Sequence, residues 1–173
     1  MQYSQIPVLG FVAASGTGKT TLLTALIPLL KNQGLRIGLI KHSHHDFQID
    51  QPGKDSFRLR AAGASPVLLV SRHRSAMITD ILPVCEPQLA ESLRQFDQTG
   101  VDLVLVEGFK AEKFPKIELH RRGLVQPLLY PDDPDIIAVA SDEALDLPPP
   151  LPCLDINRPQ QLAEFIMTQV LAA

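Results

Sequence analysis

The chain has 173 residues and a formal net charge of −3, with 45% hydrophobic and 20% charged residues. This length and composition are typical of a globular protein with a substantial core, so we predict a single domain over residues 1–173. The weak negative charge argues against nucleic acid as a partner, and the apolar runs are too short to cross a membrane.

The first motif is a phosphate-binding loop, or P-loop, at residues 13–20, Ala-Ala-Ser-Gly-Thr-Gly-Lys-Thr. An apolar run at 8–12 has strand character, and the pattern at 18–33 is helical. Gly16 and Gly18 allow the backbone to curl so that its N–H groups point at phosphate oxygens, and the helix N-terminus adds positive field. The predicted nucleotide contacts in this motif are Ser15, Gly16, Thr17, Gly18, Lys19, Thr20 and Thr21.

Two side chains of the P-loop have separate predicted tasks. Lys19 is expected to reach the β- and γ-phosphates of a nucleotide, which makes it a candidate catalytic residue. The hydroxyl of Thr20 is expected to complete the shell of a bound Mg²⁺ ion. Ala13 stands where the strict pattern has glycine, and this small residue can still enter a tight turn.

The helix after the P-loop should connect two parallel strands. Pro28 lies inside its pattern and has no N–H to donate, so a kink or an early break is expected there. Gly34 fits the end of the helix. The run at 36–40 is a second strand, and the helix supplies the crossover that a parallel βαβ unit needs.

Residues 41–55 form a long polar loop at the side of the sheet where α/β proteins bind ligands. Its lysine, histidine and aspartate content suits polyphosphate and Mg²⁺, and we predict Asp50 and Asp55 as metal ligands. The three histidines of the loop also suggest an alternative, a site for a transition metal. We favour solvated or phosphate-facing histidines, because the sequence shows no second set of ligands. These histidines are His42, His44 and His45.

The middle of the chain is predicted to form a helix, a hairpin and a second helix. Asp55 is the expected cap of a short helix at 56–62. Strands at 66–70 and 75–79 are separated by a four-residue turn, which predicts an antiparallel hairpin. A further helix is predicted at 87–98.

The strand at 102–106 ends in Glu107 and Gly108, like the Walker B strand of a nucleotide-binding protein. Glu107 is predicted to orient a water molecule of Mg²⁺, which prefers oxygen ligands, and is therefore a second candidate catalytic residue. Gly108 would let the backbone approach the γ-phosphate closely.

Polar turns after two later strands are candidates for contact with the nucleotide base. Ser141 and Asp142 follow one of these strands, and Asp155 to Asn157 follow the other. We favour Asn157 as the cap of the last helix, at 158–171, over a role in base recognition. The later strands themselves are predicted at 116–120, 136–140 and 151–154.

Together these elements predict an α/β fold of the P-loop nucleoside triphosphatase type, with a mostly parallel sheet flanked by helices and an antiparallel hairpin. Cys85 and Cys153 match no metal or redox spacing, so we expect them to be reduced core thiols. The first residues show no secretory signal pattern. The predicted location is therefore cytoplasmic.

Several stretches of the chain resemble the MobB family of molybdopterin-guanine dinucleotide biosynthesis adaptor proteins. The most specific of them are Lys-His-Ser-His-His-Asp at 41–46 and Pro-Gly-Lys-Asp-Ser at 52–56. The other matching stretches are the P-loop with Thr21-Leu22-Leu23, Gly38-Leu39-Ile40, Asp50-Gln51, Leu105-Val106-Glu107-Gly108-Phe109-Lys110 and Ala138-Val139-Ala140-Ser141-Asp142.

The resemblance implies a homodimer that binds GTP with Mg²⁺ and hydrolyses it slowly. It also implies that the protein assists MobA, which attaches GMP to molybdopterin, and that molybdopterin or molybdoenzymes are further partners. The Asn-Lys-x-Asp signature that usually selects guanine is absent from the chain, so the preference for GTP over ATP rests on the resemblance.

Two other functions remain open. One is a metal-delivery GTPase similar to HypB and UreG, with the three loop histidines as metal ligands. The other is a P-loop small-molecule kinase, which needs an arginine-bearing lid and an acceptor pocket. The arginines available for such a lid are Arg72, Arg74, Arg121 and Arg122.

Overall fold

A computed structural model describes residues 4–43, 46–124, 127–145 and 151–172. The described residues form two compact units. The first contains the chain up to His42 and again from Gln88 onward, and the second contains Ser43–Pro87. The prediction of one domain over the whole chain stays a prediction.

The first unit is built on a six-stranded parallel sheet with the strand order β2-β5-β1-β6-β7-β8. Three strands inside this order and not at its edges, β5, β1 and β7, end at turns that the sequence predicts to be functional. This arrangement confirms the predicted, mostly parallel α/β sheet. The strands are β1 (Val8–Val12), β2 (Ile37–Lys41), β5 (Leu103–Glu107), β6 (Lys116–His120), β7 (Ile136–Ser141) and β8 (Cys153–Asp155).

Helices cover both faces of this sheet. On one face, α1 (Lys19–Asn32) and α4 (Pro159–Phe165) pack against strand residues that include Leu9 and Phe11. On the other face, α3 (Leu89–Gln95) packs against β1 and β5. Because both faces are buried, β1 is apolar along its whole length instead of alternating with polar residues.

Helix α1 continues through Pro28, so the expected break does not occur. Leu26 and Leu30, on either side of the proline, are fully buried and hold both halves of the helix against the sheet. At its end, Gly34 has a φ of +89° and donates its N–H to the carbonyl of Lys31 at 2.9 Å. The predicted stop at Gly34 is therefore confirmed as a left-handed turn.

The second unit contains a short helix, α2 (Asp55–Ala61), and a two-stranded sheet. Strands β3 (Val67–Val70) and β4 (Ser75–Ile78) pair in antiparallel register, which confirms the predicted hairpin. The prediction of Asp55 as the helix cap was wrong. Asp55 is the first helical residue, and Lys54 occupies the cap position without a side-chain hydrogen bond.

Other expectations about the chain were also wrong in detail. Asn157 does not cap the last helix, because Arg158 stands at the cap position and Pro159 begins α4. The helix then changes to a π-helical turn at Ile166–Val170. Both cysteines are exposed and unpaired instead of lying in the core. Within the described ranges, no helix has the length and apolar character needed to span a membrane.

Candidate functional site

The P-loop is the connection between β1 and α1, at the carboxyl edge of the sheet. Gly16 and Gly18 have φ angles of +81° and +96°, the left-handed conformation that the predicted curl requires. Thr17 is buried, and its hydroxyl donates to the carbonyl of Ala14 at 2.8 Å. The loop therefore turns back on itself. Ser15, Thr20 and Thr21 lie exposed on the loop and in the first turn of α1.

The ammonium of Lys19 folds over this loop. Its Nζ donates to the carbonyl oxygens of Ala13 at 3.3 Å and Ala14 at 3.2 Å. Burial lowers the pKa of Lys19, whereas the negative charge of Glu107 acts in the opposite direction. The two predicted catalytic residues thus lie within electrostatic reach of each other.

Glu107 ends β5 beside the strand that leads into the P-loop. It is in register with Phe11 of β1 on one side and with Lys41 of β2 on the other. The Nζ of Lys41 lies 3.1 Å from Oε2 of Glu107, whose side chain is 13% exposed. The carboxylate is therefore placed at the carboxyl edge, as the Walker B pattern predicts, and it has a cationic partner that the sequence analysis did not identify.

The chain turns sharply after Glu107. Gly108 has a φ of +97°, and a Cβ atom there would lie 2.9 Å from Cβ of His42. The ring of His42 packs against the ring of Phe109, with 4.7 Å between the centroids. His44 lies outside the described residues, and so does His45. Among the residues that are described, no group of three or more potential metal ligands occurs.

Ser141 and Asp142 lie at the carboxyl end of β7, two strands away from β1. Oγ of Ser141 is buried 3.3 Å from Nδ1 of His120. Asp142 accepts the backbone N–H of Arg122 at 2.8 Å and Nη1 of Arg121 at 3.3 Å. The Arg122 N–H and the Arg121 charge both lower the pKa of Asp142.

Arg121 joins this turn to the P-loop, because its Nε donates to the carbonyl of Thr17 at 3.1 Å. From the sequence, Arg121 was a candidate only for a kinase lid, and its contact with the P-loop was not predicted. The available signal was its position directly after a predicted strand, since the carboxyl ends of neighbouring parallel strands meet at one edge of the sheet. Which strand would neighbour β1 was not evident from the sequence.

The two predicted metal-ligating aspartates belong to the second unit. Asp50 is buried, and its Oδ1 accepts the Gln51 N–H and the Ser56 hydroxyl, both at 2.9 Å. Its Oδ2 is also buried, and among the described residues it has no hydrogen-bond partner. Asp55 is exposed and lies 3.8 Å from Arg58. Their role toward Mg²⁺ stays a prediction.

Comparison with known proteins gives one consistent result. A family model described as MobB, molybdopterin guanine dinucleotide synthesis protein B, matches residues 8–142. The molybdopterin-guanine dinucleotide biosynthesis adapter protein of Haemophilus influenzae is 49% identical over 164 residues, which cover 94% of this chain and 89% of that protein. The adapter protein of Escherichia coli K12 is 47% identical over 165 residues, which cover 95% and 93% of the two chains.

Solved structures are similar over nearly the full length. A crystal structure of molybdopterin-guanine biosynthesis protein B aligns with a TM-score of 0.70 at 25% identity and covers 94% of this chain and 99% of that chain. A crystal structure of Bacillus subtilis MobB has a TM-score of 0.75 at 23% identity, with coverage of 95% and 98%. At 23% identity, the similarity to the Bacillus subtilis structure shows the fold alone.

Proposed function

Because the chain belongs to the MobB family, we propose that it is a GTP-binding adapter in molybdopterin guanine dinucleotide biosynthesis. The names of the relatives support the adapter role, since two of them match almost the whole chain. The observation that carries nucleotide binding is the Lys19 ammonium, which lies over a loop curled by Gly16 and Gly18. A cation over a ring of N–H groups is the arrangement that binds a polyphosphate.

In this proposal the P-loop holds the phosphates. The backbone of residues 15–20 supplies N–H donors, and Lys19 leaves the Ala13 and Ala14 carbonyls to contact the β- and γ-phosphates. Thr21 contacts the phosphate chain from the first turn of α1. The backbone at Gly108 approaches the γ-phosphate from the end of the adjacent strand, β5. Ser141 and Asp142 contribute to nucleotide binding from the end of β7. Among these groups, Lys19 is the one that carries a positive charge.

The donor atoms proposed for Mg²⁺ fit this ion, which prefers oxygen ligands. In the first unit they comprise the Thr20 hydroxyl and the Glu107 carboxylate, and among the described residues no group of three or more such carboxylate, histidine or cysteine ligands occurs. When bound, the ion supplies positive charge to the phosphate oxygens. The residues of the first unit that would hold it are Thr20 and Glu107, whereas Asp50 and Asp55 of the second unit stay predicted ligands.

Turnover in this proposal is slow. Glu107 is engaged with Lys41 at 3.1 Å, so it orients water instead of acting as a strong general base. Positioning and charge stabilisation by Lys19 then supply most of the catalysis. The adapter role itself needs a partner that recognises the nucleotide-bound form. We propose a MobA-like guanylyltransferase as this partner, molybdopterin or molybdoenzymes as further ones, and a cytoplasmic homodimer as the acting species.

The experiment compares Lys19→Ala with Lys31→Ala. Both substitutions remove one lysine charge from α1, but Lys31 lies in the last turn, about 18 Å along the helix from Lys19. Titration calorimetry with GTP and Mg²⁺ should show at least about tenfold weaker binding for Lys19→Ala, since a charged contact to phosphate is worth about 1.5–3 kcal/mol. Lys31→Ala should bind GTP like the parent chain.

Equal affinity of the parent chain and Lys19→Ala for GTP would refute nucleotide binding at this loop. The adapter role has its own measurement, which is co-purification of a MobA-like guanylyltransferase with the parent chain in the presence and absence of GTP. Retention of that enzyme should increase with GTP for the parent chain and should not respond to GTP for Lys19→Ala. If the same amount of the guanylyltransferase is retained with and without GTP by both chains, the adapter role does not depend on the nucleotide.

A further inference from the structure

Arg121 lies where three segments of the chain meet. It directly follows β6, whose neighbours in the parallel sheet are β1 and β7. Its Nε donates to the Thr17 carbonyl of the P-loop at 3.1 Å, and its Nη1 donates to Oδ2 of Asp142 at 3.3 Å. One guanidinium therefore joins the P-loop to the turn after β7.

Asp142 holds this guanidinium in a fixed orientation. Its other carboxylate oxygen, Oδ1, accepts the backbone N–H of Arg122 at 2.8 Å. Both oxygens of the carboxylate therefore have donors, and the side chain cannot rotate without losing one of them. The planar guanidinium donates to a carboxylate and to a carbonyl from two N–H groups whose relative directions are fixed. A lysine ammonium cannot reproduce this geometry.

The bond to Thr17 constrains the direction of an N–H group in the P-loop. A trans peptide is planar, so the carbonyl of Thr17 and the N–H of Gly18 belong to one plane and point in opposite directions. Because the Thr17 carbonyl points toward Nε of Arg121, the Gly18 N–H points away from the guanidinium. The guanidinium also covers Gly18, because a Cβ atom at that residue would lie 3.7 Å from Nη2.

We infer that Arg121, oriented by Asp142, is a positioning residue that holds the P-loop in its phosphate-binding form. The inference rests on the proposed nucleotide-binding function. It assigns to Asp142 an effect on the phosphates that is transmitted through Arg121 and the Thr17 carbonyl, instead of a contact with the base. The loss of either side chain therefore weakens the binding of any ligand with a phosphate chain, whatever base it carries.

The experiment uses tripolyphosphate with Mg²⁺ as a probe that has no base, beside GTP and ATP. The variants are Arg121→Met, Asp142→Asn and the combination of both, measured by titration calorimetry. Each single variant should bind all three ligands about tenfold more weakly. The combined variant should be no weaker than the single ones, because the two side chains act as one unit.

The chain offers a matched control pair at the opposite edge of the sheet. Arg36 donates through Nε and Nη2 to Asp102, at 3.0 Å and 2.7 Å, directly before β2 and β5 begin. Arg36→Met removes the same charge from a similar pair, but at the amino ends of the strands. It should leave the affinity for tripolyphosphate unchanged.

A second variant separates geometry from charge. Arg121→Lys keeps the positive charge, but one ammonium cannot hold both the Thr17 carbonyl and the Asp142 carboxylate in the same way. It should bind tripolyphosphate as weakly as Arg121→Met. Thermal unfolding without ligand checks that each variant is folded, and Arg121→Lys provides the measurement if Arg121→Met does not fold.

Three results would overturn the inference. One is parent-like tripolyphosphate binding by Arg121→Met, and another is parent-like binding by Arg121→Lys. The third is an Asp142→Asn variant that loses affinity for GTP alone, which would make Asp142 a base contact. In each case Lys19→Ala still reports on the proposed function independently. If Lys19→Ala binds tripolyphosphate like the parent chain, the nucleotide site itself is refuted.

Discussion

The Nζ atom of Lys41 lies 3.1 Å from Oε2 of Glu107, and the two residues are register partners at the carboxyl ends of β2 and β5. The carboxylate expected to orient a water of Mg²⁺ is thus paired with the last residue of the strand that enters the polar loop at 41–55. A metal ion that binds through Glu107 competes with the Lys41 ammonium for the carboxylate oxygens of Glu107. The pair therefore links the Walker B carboxylate to the start of that loop.

We predict that Glu107→Gln slows GTP hydrolysis and leaves GTP bound. The amide keeps the shape of the side chain but loses the negative charge that orients the water of the metal. A loss of about 1.4 kcal/mol of transition-state stabilisation lowers the rate about tenfold, and we expect at least this effect. Single-turnover release of phosphate at saturating GTP and varied Mg²⁺ measures it.

The control for that experiment is Glu91→Gln, which removes a carboxylate from the exposed surface of α3, where it pairs with Arg94. It should hydrolyse GTP at the rate of the parent chain. An unchanged rate and Mg²⁺ dependence in Glu107→Gln would contradict the role given to Glu107.

We predict that Gly10→Ala destabilises the fold by about 1–3 kcal/mol, the usual cost of forcing an extra carbon into a packed core. A Cβ atom at Gly10 would lie 2.6 Å from Cε2 of Phe114 and 2.7 Å from Cγ of Lys116. Lys116 cannot move easily, because its buried Nζ lies 2.7 Å from Asp133 and donates to the Glu112 carbonyl at 2.7 Å. Urea unfolding gives the change in free energy.

A compensating variant tests whether the clash is the cause. Phe114→Leu removes ring atoms that approach the new carbon, so it should cost less stability in the Gly10→Ala background than in the parent chain. If the two effects simply add, or if Gly10→Ala unfolds at the parent midpoint, close packing at Gly10 is not the reason for the glycine.

We predict that the stabilising effect of Asp102 declines at acid pH. Hydrogen bonds from the side chain and backbone of Arg36 lower the pKa of Asp102 to about 2. A carboxyl with a depressed pKa stabilises the folded chain above its unfolded pKa, near 4, and this contribution is lost as the pH falls through its folded pKa. The stability advantage of the parent chain over Asp102→Asn should therefore shrink between pH 5 and pH 3.

Urea unfolding of both chains at pH 7, 5 and 3 measures this advantage. In the Arg36→Met background, the same comparison should show a smaller dependence on pH, because the side-chain donors of Arg36 are gone and only the backbone N–H of residue 36 still donates to Asp102. A constant difference between the parent chain and Asp102→Asn at all three pH values would contradict the prediction.

Much of the fold was predictable because local patterns determine it. The apolar run of β1 and the alternation in β3 and β4 indicate strands, and the two glycines of the P-loop permit the left-handed turn found there. The direction of β2 was also predictable, because the crossover at α1 makes β2 parallel to β1. The proposed site residues on β1, β5 and β7 all lie at the ends of strands that the sequence predicts.

Local patterns were least informative where a polar group is buried. Lys116 and Glu118 alternate with apolar residues, which is typical of a strand with one solvated face, yet both are buried. Lys116 is paired with Asp133, and Glu118 accepts the backbone N–H groups of Leu129 and Tyr130 at 2.7 Å and 2.9 Å. Burial raises the pKa of Glu118. Asp133, Leu129 and Tyr130 come from a later loop, and Lys116 also donates to the Lys110 and Glu112 carbonyls of the preceding loop.

The sequence by itself therefore determined the P-loop, the strand ends and the candidate residues on them, since turn chemistry and hydrophobic periodicity act over short distances along the chain. Only the tertiary structure decided that Arg121 contacts Thr17 and Asp142, 104 and 21 residues away, and that Lys41 pairs with Glu107. These contacts depend on which strands become neighbours in the sheet. That choice is made by the packing of both sheet faces against helices, which no local stretch of sequence contains.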